Sequence, residues 1–238
     1  MSDRSPRPFV LINMAMTADA KIATTDRSIT TFGSARDLAH LYALRATADA
    51  ILCGARTIEE TGATLGNGPD PTGRLRKKRL RNGLTEYPLR VVVSGSASLS
   101  SKATLWKTKT APIIVLTSSR APAAARKRLT ALADAVWTNR GTSVDLKSAL
   151  ERLHSERGVR RLLCEGGGQL NGALFAADLV DEIHLTVCPL LFGGRSAPSI
   201  FDGPGFDRLT NATRWHQTSS RRVGDELFVV FRRGGSDQ

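Results

Sequence analysis

The run Leu162-Leu163-Cys164-Glu165-Gly166-Gly167-Gly168-Gln169 sets three glycines between an apolar segment and a stretch of helical spacing. Glycines at such a junction let backbone amides approach a ligand with no Cβ in the way. The free N–H groups of a first helical turn favour a phosphate. The pattern is not GxGxxG and does not follow the first apolar run, so the ordinary dinucleotide fingerprint is absent. A tight turn that needs glycine only for packing is the plain alternative. Gly54-Ala55-Arg56-Thr57 repeats the arrangement after another apolar run. There Gly54 permits close approach, Thr57 offers a hydroxyl, and Arg56 carries a fork able to pair with a phosphate; an exposed arginine at a helix start is the alternative. Ser94-Gly95-Ser96 and Thr117-Ser118-Ser119 also follow apolar runs. Small polar segments at the ends of successive parallel strands line the crevice where open α/β sheets bind ligands. A cofactor lying across them is the economical explanation.

Asp19 and Lys21 follow the first apolar run. A carboxylate and an amine two residues apart on a loop can orient a polar substrate and supply a proton; solvated surface charges are the alternative. The histidines, His40, His154, His184 and His216, show neither HExxH nor any other metal-ligand spacing, so no metal is expected. No GxSxG elbow supports a Ser-His-Asp hydrolase, and no paired carboxylates suggest glycoside hydrolysis.

These residues need elements to hold them. Phe9 to Met16 reads as a buried strand. Ser34 with Asp37 forms a capping box ahead of a helix over 35–46, with Leu38, Leu41, Tyr42 and Arg45 at helical spacing. Asp49 to Cys53 reads as a central strand and 55–60 as a short helix. Strands follow at 89–93, 112–116, 135–137 and 161–164, with helices at 121–132, from an N-cap at Ser143 to Leu153, and at 170–175. A β-rich run covers 182–191. An antiparallel pair, 208–218 with 226–232, closes the chain. Alternating strands and helices with an antiparallel end predict an α/β fold: a mostly parallel central sheet with antiparallel C-terminal strands, flanked by helices.

The 238 residues are 41% hydrophobic and 24% charged, a globular composition long enough to bury a core without staples. No apolar run approaches the ~20 residues of a membrane span. The odd count of cysteines, Cys53, Cys164 and Cys188, each after an apolar segment, favours buried thiols in a reducing, cytoplasmic setting. The expected organisation is a tail at 1–8, one domain over 9–233 with a basic insert at about 61–89, and a tail at 234–238. Lys and Arg number 34 against 22 Asp and Glu, a net charge of +12 that biases partners toward anions. Half of the excess is the octet 74–81, with Arg74, Arg76, Lys77, Lys78, Arg79 and Arg81. A solvated loop, a lid over a phosphorylated substrate, and nucleic-acid contact are its three readings. No aromatic lies within it, so nucleic acid is the least favoured partner.

Several segments together resemble a known family. Phe9 to Ala23 is similar to an opening strand followed by an "SLDGKIA" motif, and Cys53-Gly54-Ala55-Arg56-Thr57-Ile58 to a "VGANTV" cofactor segment. Glu165 to Leu170, Leu179 to Ile183 and Pro189 to Gly194 resemble the family's C-terminal half. The family is the pyrimidine reductase of riboflavin biosynthesis, the C-terminal domain of the bifunctional deaminase/reductase, with a dihydrofolate reductase-like fold. The resemblance implies a homodimeric oxidoreductase using NADPH. It would reduce the ribosylamino side chain of a 5′-phosphorylated diaminopyrimidinone or aminouracil to the ribitylamino form. It implies that Gly54, Thr57, Ser94, Glu165, Gly167 and Gly168 bind the cofactor. Asp19 and Lys21 would serve catalysis, and Asn13, Ser34, Arg36 and Arg45 the substrate. No HxE with a downstream PCxxC occurs, so a stand-alone reductase is expected. Two departures stand out. The family's Asp-Gly is Asp19-Ala20 here; if that position needs a positive φ, Ala20 costs about 1 kcal/mol. The Asp-x-Pro common after the cofactor segment is replaced by Glu60-Thr61-Gly62. A reductase of the same fold acting on a pterin or other heterocycle, and a non-catalytic phosphometabolite or nucleic-acid binding protein, are the alternatives.

Overall fold

A computed structural model describes residues 6–27 and 32–234; the ends of both expected tails, 1–5 and 235–238, lie outside the described residues. In chain order the elements are β1 (Phe9–Thr17), α1 (Ala35–Arg45), β2 (Ala50–Gly54), α2 (Ala55–Thr61), α3 (Arg74–Arg81), β3 (Leu89–Val93), β4 (Ile113–Ser118), α4 (Ala123–Thr130), β5 (Ala135–Asn139), α5 (Leu146–Arg157), β6 (Arg161–Cys164), α6 (Gly168–Ala176), β7 (Glu182–Cys188), β8 (Trp215–Val223) and β9 (Glu226–Arg233). They group into two compact units, each drawn from separated stretches of chain.

The first unit holds residues 41–163 and the N-terminal segment to Phe9. Its strands follow the order β5-β4-β3-β2-β6. β2, β3, β4 and β5 pair in parallel, Ala50 opposite Leu89, Arg90 opposite Ile113 and Ile114 opposite Ala135. The apolar runs of β2, β3 and β4 are buried on both faces, as helix-covered parallel strands require, while β5 at the edge is only partly buried. Ile51, Val92, Val115, Leu99, Leu105 and Leu129 sit in the core between them and α2 and α4. Asp145 caps α5, its carboxylate accepting the Ser148 amide at 3.0 Å. The expected cap, Ser143, lies two residues too early; Asp145 is the stronger acceptor and sits at the β-region backbone a cap needs.

The insert contains α3, and its octet is not simply a solvated run. Arg79 is fully buried. Its Nη1 donates to the carbonyls of Arg45 and Ala48, each at 2.7 Å, and its Nε to that of Thr85 at 2.9 Å. Burial pushes its guanidinium down to about 10. Arg76 bonds Glu86 at 3.0 Å and lies beside Asp70. Arg74, Lys77 and Arg81 are exposed.

The second unit holds the described residues among 10–40 and 164–234, with strand order β1-β7-β9-β8. β1 runs parallel to β7, Leu11 opposite Glu182; β7–β9 and β9–β8 are antiparallel. β7 stops at Cys188, short of the expected 191, because Pro189 has no N–H to continue the ladder. The first half of the expected 208–218 strand is instead a loop with a 3-10 turn at Leu209–Asn211. β8 and β9 join through Gly224-Asp225, with Gly224 at φ 63, as a two-residue hairpin demands. On α1, Leu38 is exposed, so the expected apolar stripe is not the buried face; Leu44 and Arg45 are the helix's buried residues.

Candidate active site

The loop after β1 is held from three sides. The Thr17 amide donates to the Lys21 carbonyl at 2.9 Å, and the Lys21 amide to the Thr17 hydroxyl oxygen at 2.9 Å. This closes a tight turn with Ala20 at φ 61, so the position that is glycine in the family does adopt a left-handed backbone. The Thr17 hydroxyl in turn donates to Asp19 at 2.6 Å. The Asp19 carboxylate also accepts the amides of Phe192 at 3.2 Å and Gly193 at 2.7 Å. The Thr17 hydroxyl, helped by these amides, holds the Asp19 carboxyl below the usual carboxylate range against a partial desolvation cost. Asp19 is therefore an anion that joins the 17–21 loop to the 192–193 loop. Lys21 points Nζ at the Ala197 carbonyl, 3.2 Å away. Asn13, one strand face back along β1, is buried, and its Oδ1 has no partner among the described residues.

The glycine run follows β6, with Gly166 at φ 79 and a cis Gly166–Gly167 peptide. A Cβ on Gly166 would meet the Met14 sulfur at 2.9 Å, and one on Gly168 the Ser199 carbonyl oxygen at 2.2 Å. The Asp202 amide donates to the Gly168 carbonyl at 3.0 Å, while the Asp202 carboxylate caps Ser199 at 2.9 Å. The space beside Gly168 is thus filled by the chain's own 199–202 loop, and its missing side chain serves internal packing. Glu165 stands at the carboxyl end of β6, and Gly167 caps α6 in extended backbone.

In the first unit, Gly54 begins α2 at the carboxyl end of β2, with Thr57 one turn on. Ser94 follows β3; it is buried and its Oγ has no partner among the described residues. The next hydroxyls are already used: Thr117 and Ser118 both donate to the Gly95 carbonyl, at 3.1 and 2.9 Å. They brace the Gly95 turn rather than present a ligand face.

The three residues expected for the substrate on α1 do not come together. Ser34 and Arg36 begin the helix and Arg45 ends it, about 15 Å along its axis. Arg45 is buried, donating from Nη1 to the Gly66 carbonyl at 2.6 Å. Ser34 accepts the amides of Arg36 and Asp37 at 3.1 and 3.4 Å, as an N-cap should. The return half of the expected capping box is missing: the Ser34 amide donates to Glu226 at 2.7 Å. Arg36 is exposed, its guanidinium beside the Gly224 turn.

Residues 8–229 match the family model of the RibD C-terminal domain. The chain belongs to this family. It is 35% identical over 226 residues to the 2,5-diamino-6-ribosylamino-4(3H)-pyrimidinone 5′-phosphate reductase of Methanothermobacter thermautotrophicus, covering 94% of this chain and 98% of that one. It is also 35% identical over 230 residues to the protein of the same name from Archaeoglobus fulgidus, covering 95% and 98%. Among solved structures, it is similar to a pyrimidine reductase-like protein of Corynebacterium diphtheriae, with a TM-score of 0.80 at 20% identity over 96% of this chain and 93% of that one. The fold is of the dihydrofolate reductase-like class that the resemblance implies.

Around this RibD C-terminal fold lies a buried polar line that the sequence reading missed. On β7, Glu182, His184, Thr186 and Cys188 share one face, with Asp37 and His40 of α1 against it. His40 Nε2 is 3.3 Å from His184 Nδ1, His184 Nε2 is 2.7 Å from Glu182, and Glu182 is 2.5 Å from Arg232. Burial, then the neighbouring His184 and Arg221, push His40 down to about 4. Burial, with the Glu226 and Asp37 carboxylates, pushes the Cys188 thiol up to about 12. The available signal was the period-2 run of polar residues in an otherwise apolar strand. Cys53, Cys164 and Cys188 are all buried, and none of them forms a disulfide among the described residues. No described helix is long and apolar enough to cross a membrane.

Proposed function

We propose that the chain is an NADPH-dependent oxidoreductase of riboflavin biosynthesis. It reduces the ribosylamino side chain of 2,5-diamino-6-ribosylamino-4(3H)-pyrimidinone 5′-phosphate to the ribitylamino form. The observation that carries this reading is the near end-to-end likeness to an archaeal reductase of that name, 35% identical over 98% of its length. The same likeness favours the diaminopyrimidinone over the deaminated aminouracil. Ring opening of the ribosylamine leaves a C=N bond, which becomes an amine when a hydride joins its carbon and a proton its nitrogen. NADPH, when bound, supplies the hydride.

The residues present suit such a cofactor at several points. The unpartnered Ser94 hydroxyl waits at a strand's carboxyl end, Gly54 gives close backbone approach, and the first-turn amides of α6, after Glu165 and Gly167, have no carbonyl within the helix to bond. Gly168 does not face the ligand in this reading; it seats the 199–202 loop. Asn13 Oδ1 accepts an N–H of the pyrimidine. Asp19, ionised and bonded to three donors, holds the loop from which Lys21 presents its remaining N–H donors to the substrate. Arg36 is the candidate for the 5′-phosphate, with Ser34 positioning the helix start, while Arg45 donates to the Gly66 carbonyl. A proton for the new amine comes from Lys21 or a water it orients, since Asp19 holds none at neutral pH.

The chain is further proposed to act as a homodimer, as the resemblance implies, in the cytoplasmic setting that its cysteine usage favours. β8, exposed along its length, is an open strand edge in its unit. Nucleic-acid binding is disfavoured because Arg76 and Arg79 of the octet are engaged internally.

The test is loss of nicotinamide absorbance with the diaminopyrimidinone phosphate, the aminouracil phosphate and dihydrofolate. Turnover with the first alone supports the proposal. Turnover with another instead corrects the substrate. A flat trace with all of them, despite NADPH binding, overturns it.

A further inference from the structure

At the amino ends of β2, β3 and β4 the first unit carries a half-open pocket of about 430 Å³. Tyr42 and Arg45 of α1, Asn67 and Tyr87 of the insert, and Thr108 and Thr110 ahead of β4 line it. Gly54 and Ser94 stand at the opposite ends of β2 and β3, about 15 Å away along the strands. The cavity is therefore separate from the segments assigned to the cofactor in this unit. Its volume falls within the range of small-molecule sites.

Its walls are built rather than incidental. Gly68, at φ 77, lies so close to Tyr42 that a Cβ there would be 2.2 Å from the ring. Arg45 holds the Gly66 carbonyl at 2.6 Å, and the buried Arg79 holds the Arg45 carbonyl at 2.7 Å. Asn67 is only 5% exposed. Its Nδ2 donates to the Glu86 carbonyl at 2.9 Å, and its Oδ1 is left buried without a partner. An unmet buried acceptor is a standing cost that a ligand's N–H relieves. Arg45, 8% exposed, brings a positive charge to the wall, and no carboxylate lines the cavity among the described residues. Lys107 and Lys109 flank Thr108.

We infer that this cavity is a second ligand site, for a flat nitrogen heterocycle that carries an anionic group, the class to which purine mononucleotides belong. A ring N–H satisfies Asn67 Oδ1, the ring packs against the tyrosines, and the anion lies toward Arg45 and the threonine hydroxyls. The proposal does not depend on the reductase reading.

The probe is adenosine 5′-monophosphate, titrated calorimetrically into the full chain with saturating NADPH present, which blocks nucleotide binding at the cofactor site. One site per chain is expected, weakened about tenfold in Asn67→Leu and lost in Thr110→Trp, which plugs the exposed rim. Both variants keep the wild-type NADPH affinity. Adenosine and inorganic phosphate each bind more weakly than the nucleotide. Absence of binding at millimolar nucleotide, displacement of the nucleotide by NADPH, or equal affinity in both variants overturns the inference. If Asn67→Leu fails to fold, Thr110→Trp alone decides it. Failure of NADPH to bind overturns the reductase reading, and loss or retention of nucleotide binding in Thr110→Trp then decides the cavity site.

Discussion

Glu226 on β9 receives both the amide and the hydroxyl of Ser34, at 2.7 and 2.6 Å, across 192 positions of sequence. The carboxylate thereby ties the start of α1 to the hairpin that ends the chain. Glu226 is 7% exposed, so these are charge-assisted bonds at a largely dry site. Glu226→Ala should cost about 2 kcal/mol of stability, with Ser34→Ala costing less because Glu226 keeps the amide. Urea denaturation of the two variants checks the ranking, and equal losses would refute it.

Ala20 holds φ 61 in the turn between Thr17 and Lys21. An L-residue there is strained by about 1 kcal/mol. Ala20→Gly should recover roughly that amount, less the extra freedom glycine has in the unfolded chain. Calorimetry should find the melting temperature unchanged or up by about 2 °C; a clear fall would show that the turn prefers alanine.

Arg79 and Arg81 are neighbours in the basic octet with opposite environments. Arg79 donates to three main-chain carbonyls from full burial. Arg79→Met should lower stability by about 3 kcal/mol, because carbonyls at Arg45 and Ala48 lose their donor. Arg81→Met, on an exposed position, should fall within about 0.5 kcal/mol of wild type. Chemical denaturation separates the two, and matching values would return the octet to a uniformly solvated reading.

His40 is held down to about 4 from 6.5. Its folded form prefers the neutral ring, so the unfolded chain binds more protons between those values, and stability rises with pH across that window. Asp37, raised by burial, acts in the opposite sense: its folded form prefers the proton, so its contribution is lost as pH rises through the carboxylate range. Wild type should therefore lose more stability than His40→Phe as pH falls from 6.5 to 4. Denaturation midpoints at several pH values test this; parallel curves would exclude His40 as the titrating group.

Asp19 accepts three donors and lies below the usual carboxylate range. Under the proposed function it is a positioning group. Asp19→Ala should cut kcat/KM about 100-fold by releasing the loop, and Asp19→Asn, which keeps an acceptor, should lose less. Wild-type activity should show no limb attributable to Asp19 between about pH 5 and pH 8, because its carboxyl lies below the ordinary carboxylate range. A limb that moved in Asp19→Asn would make it the proton donor instead.

Much was legible in the chain because it is local. β2 is a continuous apolar run and β3 is apolar but for Arg90, the glycines at 54 and 166–168 mark strand ends, and Ser34 is a cap by its own chemistry. The αL backbone at Ala20 follows from a five-residue turn, and the family resemblance, with glycine at that position, singled it out. The succession of elements along the chain, the parallel body and the antiparallel close were readable for the same reason: hydrophobic period and turn residues are properties of neighbouring positions.

Tertiary structure alone decided which polar group meets which. Asp37 looked like the partner of the Ser34 amide, yet Glu226 takes it; the Arg45 guanidinium meets the Gly66 carbonyl, and Ser199 and Asp202 fill the space where a Gly168 side chain would stand. Arg79 looked solvated and is buried. The reason is physical. A buried donor or acceptor must be satisfied by something, but its residue type states only the need, and the partner that folding brings close is set by the topology of the whole chain.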